Sequence, residues 1–141
     1  MSKLTFKKTT VALCSLLLMV TCLNACEKDK QEEVENLAME FANAIYEGND
    51  SFVINNLIYD EKPGLPGGFE GKIKDYVIHN RYKTEKKGGV KKIKLEEVIF
   101  TEDELSALVE LRVYFNVQAT PDEEKIYMTR KKRGQWKVIL K

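Results

Sequence analysis

Cysteine is scarce in this sequence of 141 residues, and its placement excludes several kinds of site. The three cysteines lie at positions 14, 22 and 26, so none occurs in the remaining part of the chain. That part has no thiol with which to form a disulfide, to bind zinc or to cycle between redox states. We therefore expect no cysteine-based metal or redox site after residue 26.

A net charge of one sign is also lacking. The chain has 23 Lys and Arg against 22 Asp and Glu, which gives a formal net charge of +1. Basic runs at residues 83–92 and 130–133 are matched by acidic runs at 27–35 and 102–104. Because no field of one sign covers the chain as a whole, we predict no nucleic-acid partner and interpret the charged runs as solvated faces.

The longest apolar stretch, residues 11–26, is too short for a membrane-spanning helix, which needs roughly 18 to 20 apolar residues. It follows the positively charged Lys3, Lys7 and Lys8 and ends near the small residue Ala25. This pattern predicts a secretory signal peptide over residues 1–25. The four residues Leu23-Asn24-Ala25-Cys26 resemble the lipobox of bacterial lipoproteins.

The lipobox resemblance implies that Cys26 is acylated and becomes the new N-terminus, with palmitate among its lipids. We therefore expect a protein of the bacterial cell envelope that is anchored to the membrane through lipid on Cys26. Because Glu27 rather than Asp follows the cysteine, the resemblance favours the outer membrane, facing the periplasm. Residues 26–33 are then the lipidated cysteine and a polar tether, and residues 34–141 form one domain.

Three helices are predicted in the first half of this domain. Apolar residues at helical spacing indicate the first one, and Gly48 ends it. Residues 49–51 can cap a second helix, Phe52 to Ile58. The segment 60–70 contains two of the three prolines and is predicted to be an irregular loop. A third helix follows over residues 71–87 and ends at Gly88. The core-facing residues predicted for the helices are Val34, Leu37, Ala38, Phe41, Ala42, Ile45, Val53, Ile54, Leu57, Ile73, Tyr76, Val77 and Asn80.

The hydrophobic period changes from 3.6 to 2 after Gly89, which predicts four consecutive strands. We place them at residues 90–100, 107–119, 124–131 and 136–140. The first strand contains a change of phase between Leu95 and Val98, which predicts a β-bulge near Glu96 and Glu97. The predicted fold is therefore α+β, with N-terminal helices packed on a curved four-stranded antiparallel sheet.

The order of these elements, with Gly134-Gln135-Trp136-Lys137-Val138 in the last strand, resembles the DUF4878-type bacterial lipoproteins of the NTF2-like, cystatin-like superfamily. The resemblance covers residues 30–141 and departs from the family pattern at residues 63–68, which are similar to an enlarged loop. It implies a cone-shaped fold with a cavity between the helices and the sheet. It implies no particular activity.

The superfamily includes ketosteroid isomerases and dehydratases, so we searched for residues suited to acid or base chemistry. Asp75 and His79, the only histidine, are four residues apart and lie on one face of the third helix. They could share a proton in catalysis. Because that face is offset from the apolar stripe, we favour a solvent-exposed pair. No known catalytic motif accompanies them.

Polar residues also occupy one face of the longest predicted strand. Glu110, Arg112 and Tyr114 lie opposite its buried valines, where they form either a solvated strip or the recognition surface for a partner. Four tyrosines on or beside the helices would either line a pocket or be half-buried core residues, namely Tyr46, Tyr59, Tyr76 and Tyr82. We interpret Trp136 as a core residue.

The sequence thus predicts a lipid-anchored envelope protein whose domain is a non-catalytic binding or scaffold module without a cofactor or metal. Its partner is either a small ligand or an envelope protein. Two alternatives stay open, namely an inhibitor or immunity-type interaction protein and a small-molecule isomerase or dehydratase that uses the cone. A convergent polar cavity would favour the enzyme, and an apolar patch on the outer sheet face would favour the interaction protein.

Overall fold

The computed structural model describes the backbone of residues 8–58 and 68–139, and side chains from residue 28 onward within those ranges. It divides the chain into two compact units, Met1–Glu32 and Glu33–Lys141. Cys26, the expected lipidation site, and most of the predicted loop 60–70 lie outside the residues whose side chains are described. Within the described residues, none of the helices combines the length and apolarity needed to cross a bilayer.

Three helices precede and flank the sheet. They are α1 (Lys8–Glu47), α2 (Asp50–Asn56) and α3 (Gly68–Lys86). The polar segment 27–33, expected to be a tether, is helical, and most of its described side chains are exposed. Five strands follow the helices or lie between them, namely β1 (Leu57–Ile58), β2 (Val90–Phe100), β3 (Ser106–Phe115), β4 (Asp122–Thr129) and β5 (Lys137–Ile139).

Local sequence explains the ends of the helices. Gly48 adopts a φ of 87°, and its backbone N–H and that of Asn49 both bond to the carbonyl of Ala44 at the end of α1. The Asn49 side chain then accepts a hydrogen bond from the N–H of Phe52, which caps α2. Gly88 and Gly89 also have positive φ and end α3 as predicted.

The sheet has five strands rather than the predicted four, in the order β1-β5-β4-β3-β2. The additional strand is β1, which pairs in parallel with β5 through Leu57 and Val138, whereas the other pairs are antiparallel. We had predicted Leu57 to be helical. Its backbone is instead extended, with φ of −86° and ψ of 143°, because the adjacent β5 provides partners for its peptide groups.

The predicted bulge in β2 is confirmed. Leu95 pairs with Leu111 but Glu97 pairs with Glu110, so two steps along β2 correspond to one step along β3. The extra residue is Glu96. It lets Leu95 and Val98, three residues apart, both face the core, and a second register shift follows Val90.

β3 ends at Phe115, four residues before the predicted end. Val117 was expected on the buried face, yet it is 77 % exposed. The backbone N–H groups of Asn116 and Val117 bond to the carbonyls of Gly89 and Lys87 instead of continuing the ladder with β4. This segment therefore bonds to the turn between α3 and β2 rather than to β4. The alternation of apolar residues could not predict that contact.

One apolar core lies within the unit Glu33–Lys141. Phe41 from α1, Val113 from β3 and Trp136 before β5 are each at most 2 % exposed, as predicted. Tyr76 was expected to face this core, but it is 44 % exposed, and the buried face of α3 consists of Ile73, Val77 and Thr84. The other largest side chains that are fully buried are Leu111, Met128, Val34, Val53, Val77, Val109 and Val138.

Candidate functional site

The outer face of the sheet, opposite the core, displays the three strand residues singled out from sequence. Glu110 Oε1 lies 2.6 Å from Lys125 Nζ on β4. Arg112 Nη1 lies 3.9 Å from Glu96 Oε2, and the Lys92 ammonium lies 4.6 Å from the centre of the Tyr114 ring. The structure therefore brings Glu110, Arg112 and Tyr114 onto one charged surface that continues onto both neighbouring strands.

The β-bulge shapes this surface. Glu96, the extra residue, accepts a hydrogen bond from Lys94 at 2.9 Å and lies close to Arg112. The hydrogen bond from Lys94 and the positive charge of Arg112 hold the pKa of Glu96 below its ordinary value. The hydrogen bond to Glu110 and the negative charge of that residue raise the pKa of Lys125 above its ordinary value. A groove of about 330 Å³ lies on this face. Its lining on this side of the sheet consists of Glu96, Glu97, Glu110, Arg112, Glu123 and Lys125.

An apolar row crosses the same face beside the charged groove. Ile99 of β2 pairs with Leu108 of β3, which pairs with Tyr127 of β4. Tyr127 pairs in turn with Ile139 of β5, and Ile139 pairs with Ile58 of β1. Paired residues in neighbouring strands point to the same side, so these five side chains form one line across all five strands. Its two ends are the most open, since Ile58 is 41 % exposed and Ile99 is 46 % exposed.

A second polar cluster lies between α1, α3 and the start of β4. The Tyr46 phenol donates a hydrogen bond of 2.5 Å to Glu124 Oε1. Lys87 Nζ donates to Asp122 Oδ2 at 2.5 Å, and Gln118 Nε2 donates to Asp122 Oδ1 at 2.7 Å. Phe115 packs beneath this cluster, with its ring centre 5.8 Å from that of Tyr46 and 4.5 Å from the Lys87 ammonium.

Burial and hydrogen bonds set the protonation states in this inner cluster. Burial raises the pKa of Tyr46, and the hydrogen bond to Glu124 raises it further. Burial and the charge of Glu124 also raise the pKa of Tyr76. Burial alone would raise the pKa of Asp122, but hydrogen bonds from Lys87 and Gln118 outweigh it and lower the pKa. The phenols thus stay neutral and Asp122 stays anionic near neutral pH.

Asp75 and His79 lie on the exposed surface of α3, as the sequence predicted. Their neighbours on that surface include Ile78, which is 65 % exposed, and Tyr82, which is 55 % exposed. Among the described residues, none of the hydrogen bonds or ion pairs found joins Asp75 to His79.

Sequence reasoning missed the inner cluster apart from naming Tyr46 and Tyr76 as possible pocket residues. One signal was present, because Asp122 and Glu124 occupy the same alternating positions in β4 as the buried Ile126 and Met128. Carboxylates in phase with a core stripe indicate buried polar partners. Their identity depends on how α1 and α3 cross the sheet.

Comparison with known structures identifies the fold. A crystal structure of a Campylobacter jejuni protein named "putative NTF2-like transpeptidase" superposes with a TM-score of 0.67 and 29 % sequence identity, over 76 % of this chain and 97 % of that one. The chain has an NTF2-like fold. No protein-family model and no curated protein sequence matches the chain. The surfaces of the NTF2-like domain are therefore the basis for inferring its function.

Proposed function

We propose that this protein is a bacterial lipoprotein, anchored through Cys26, whose NTF2-like domain is a non-catalytic module that binds another envelope protein. The observation that carries the proposal is the apolar row on the outer sheet face, with charged side chains of both signs beside it. Exposed apolar surface rimmed by polar residues is typical of protein interaction sites.

The composition of the outer face favours a folded protein partner over a simple ligand. The row from Ile58 to Ile99 crosses all five strands of the sheet, so it offers an extended contact surface. Lys94, Arg112 and Lys125 alternate beside it with glutamates, so complementary charges on a partner can fix the register of docking. The lipid anchor supports an envelope protein as the partner, since it would hold the domain at that location.

The name of the Campylobacter jejuni protein raises transpeptidation as a second candidate function. Acyl transfer of this kind uses a serine or cysteine nucleophile beside an activating base. Ser106 Oγ lies 3.3 Å from Thr129 Oγ1, and Ser51 is exposed on α2. None of the hydrogen bonds found among the described residues joins either serine to a histidine or lysine, so we favour binding over catalysis.

Site-specific photo-crosslinking in intact cells tests the proposal. A benzophenone amino acid replaces Leu108 within the apolar row, and the control carries it at the exposed Lys131. We expect one discrete adduct with an envelope protein from position 108 and none from position 131. Mass spectrometry identifies the partner in the adduct.

The matched variant for this experiment is Ile99→Lys, which places a charge at the open end of the row. It should abolish the adduct while leaving the melting temperature close to that of the wild type, because Ile99 is 46 % exposed. Equal adducts from positions 108 and 131, or an adduct that is unchanged by Ile99→Lys, would show that the outer face is not the binding surface.

A further inference from the structure

The exposed side of α3 presents a ridge of four residues at steps of four, Lys74, Ile78, Tyr82 and Lys86. Residues at this spacing lie one above the other on a helix, so the ridge is about 18 Å long. Ile78 is 65 % exposed and Tyr82 is 55 % exposed, and both lysines are exposed. The Lys86 ammonium lies 4.4 Å from the centre of the Tyr82 ring. Two apolar side chains thus lie between two cations.

Positive charge is concentrated in the segment of the chain that contains this ridge. Residues 71–94 contain nine Lys and Arg but only two acidic residues, Asp75 and Glu85, so their formal charge is +7. The remainder of the chain has fourteen Lys and Arg against twenty Asp and Glu. The near-neutral total therefore conceals a basic segment, residues 71–94, which comprises α3 from Gly71 onward, the Gly88-Gly89 turn and the first half of β2.

A further apolar side chain lies at the C-terminal end of the ridge. Val117 is 77 % exposed and packs beside Gly88, where an added Cβ would come within 2.6 Å of Val117 Cγ2. The N–H of Val117 bonds to the carbonyl of Lys87, which fixes the residue beside the end of α3. Exposed apolar side chains thus occur on α3 at Ile78 and Tyr82 and again beside the turn that follows the helix.

We propose that this ridge binds the surface of a membrane that contains anionic lipids. Tyrosine and isoleucine side chains enter the boundary between headgroups and acyl chains, while lysines extend their ammonium groups to the lipid phosphates. The apolar pair distinguishes this surface from a nucleic-acid site, because backbone phosphates offer nothing to Ile78. The contact acts in addition to the proposed Cys26 lipid and does not depend on it.

The binding test uses residues 27–141, which lack the acylated cysteine. This fragment retains every described residue of the buried core, since those residues lie between positions 34 and 138. It is sedimented with vesicles of phosphatidylcholine and phosphatidylglycerol, and separately with vesicles of phosphatidylcholine alone. We expect binding to the mixed vesicles only, and we expect added salt to weaken it because the attraction is electrostatic.

Matched charge variants locate the binding surface. Each lysine near an anionic surface strengthens binding about fivefold, so Lys74→Gln/Lys86→Gln should lower the partition coefficient roughly 30-fold. The control Lys131→Gln/Lys132→Gln removes the same charge from exposed positions in the turn between β4 and β5, at the opposite end of β4 from Asp122. It should change the partition coefficient by less than about twofold.

A spectroscopic readout tests insertion of the apolar pair. In Tyr82→Trp the new indole should shift its emission to shorter wavelength when mixed vesicles are added, whereas the buried Trp136 provides a constant background. An unchanged emission maximum, equal loss of binding in both charge variants, or displacement of the vesicles by short single-stranded DNA would overturn the proposal. Acylation of Cys26 is measured on the full chain, so the two proposals can fail separately.

Discussion

The phenol of Tyr46, near the end of α1, donates a hydrogen bond to the carboxylate of Glu124 in β4 across 78 residues of sequence. Tyr46 is 7 % exposed, so the bond joins the first helix to the sheet away from water. A donor of this kind to a carboxylate is stronger than a bond between neutral groups. The contact therefore connects two distant parts of the chain at the edge of the apolar core.

We predict that Tyr46→Phe destabilises the domain by about 1 to 3 kcal/mol, because it leaves the Glu124 carboxylate without its donor in a partly buried place. Urea denaturation measures the change. The double variant Tyr46→Phe/Glu124→Gln should lose less than the sum of the two single variants, since the residues interact directly. Additive losses would contradict the coupling.

The pKa of Tyr46 predicts a specific dependence of stability on pH. Folding raises this pKa above the ordinary tyrosine value of about 10, so the unfolded chain releases the proton more readily. The stabilisation is complete below about pH 10 and decreases as the pH rises above it. Tyr46→Phe should therefore lose stability less steeply than the wild type between about pH 10 and 11.5, which urea denaturation at several pH values measures.

Much of the fold follows from local sequence patterns. The phase slip between Leu95 and Val98 predicted the bulge because a strand can bury both residues only with one extra residue between them. The helical spacing of apolar residues in α1 and their alternation in β3 identified Phe41 and Val113 as core residues, and both are buried. In these elements the local period and the tertiary packing agree.

Other features depend on contacts between distant segments. β1 has only two residues, too few to show a period, and it is extended because β5 lies beside it. Val117 continued the alternation of β3, but its backbone bonds to Lys87 instead. The apolar row depends on the register of all five strands, so its members appear unrelated in sequence. Neither the outer sheet face nor the inner polar cluster was therefore predictable as a whole.

Cys26→Ser should abolish incorporation of labelled palmitate and release the protein from membranes that are washed at high salt, which weakens the proposed electrostatic contact of α3. The reason is that the acyl chains on this residue hold the protein by about 0.8 kcal/mol for each buried methylene. Fractionation of cells after expression of wild type and variant measures the effect. Membrane association at the wild-type level, with palmitate still incorporated, would refute the anchor.

Trp136→Ala should destabilise the domain by roughly 3 to 5 kcal/mol, because Trp136 is 2 % exposed and packs against Phe100 with ring centres 6.0 Å apart. In contrast, Asp75→Ala/His79→Ala removes two exposed side chains and should change the free energy of unfolding by less than about 0.5 kcal/mol for each residue. Thermal denaturation of the wild type and of both variants measures the two changes in stability.

The same double variant also tests the non-catalytic interpretation. Asp75→Ala/His79→Ala should restore function to a strain that lacks the gene, as the wild type does. A variant that folds normally but fails to complement would favour the enzyme alternative, since Asp75 and His79 were the residues considered for acid or base chemistry.

The two register shifts in β2 have a consequence for molecules that are crowded on a surface. β2 is an edge strand, and an uninterrupted edge could pair with the same edge of a neighbouring copy and start a growing fibril. The shifts after Val90 and Leu95 break the regular spacing of its peptide groups, and Lys91 and Glu96 each place a charge at a break. Under the proposed anchoring through Cys26, copies of the protein would meet often in two dimensions, and an irregular, charged edge would allow dense display without polymerisation.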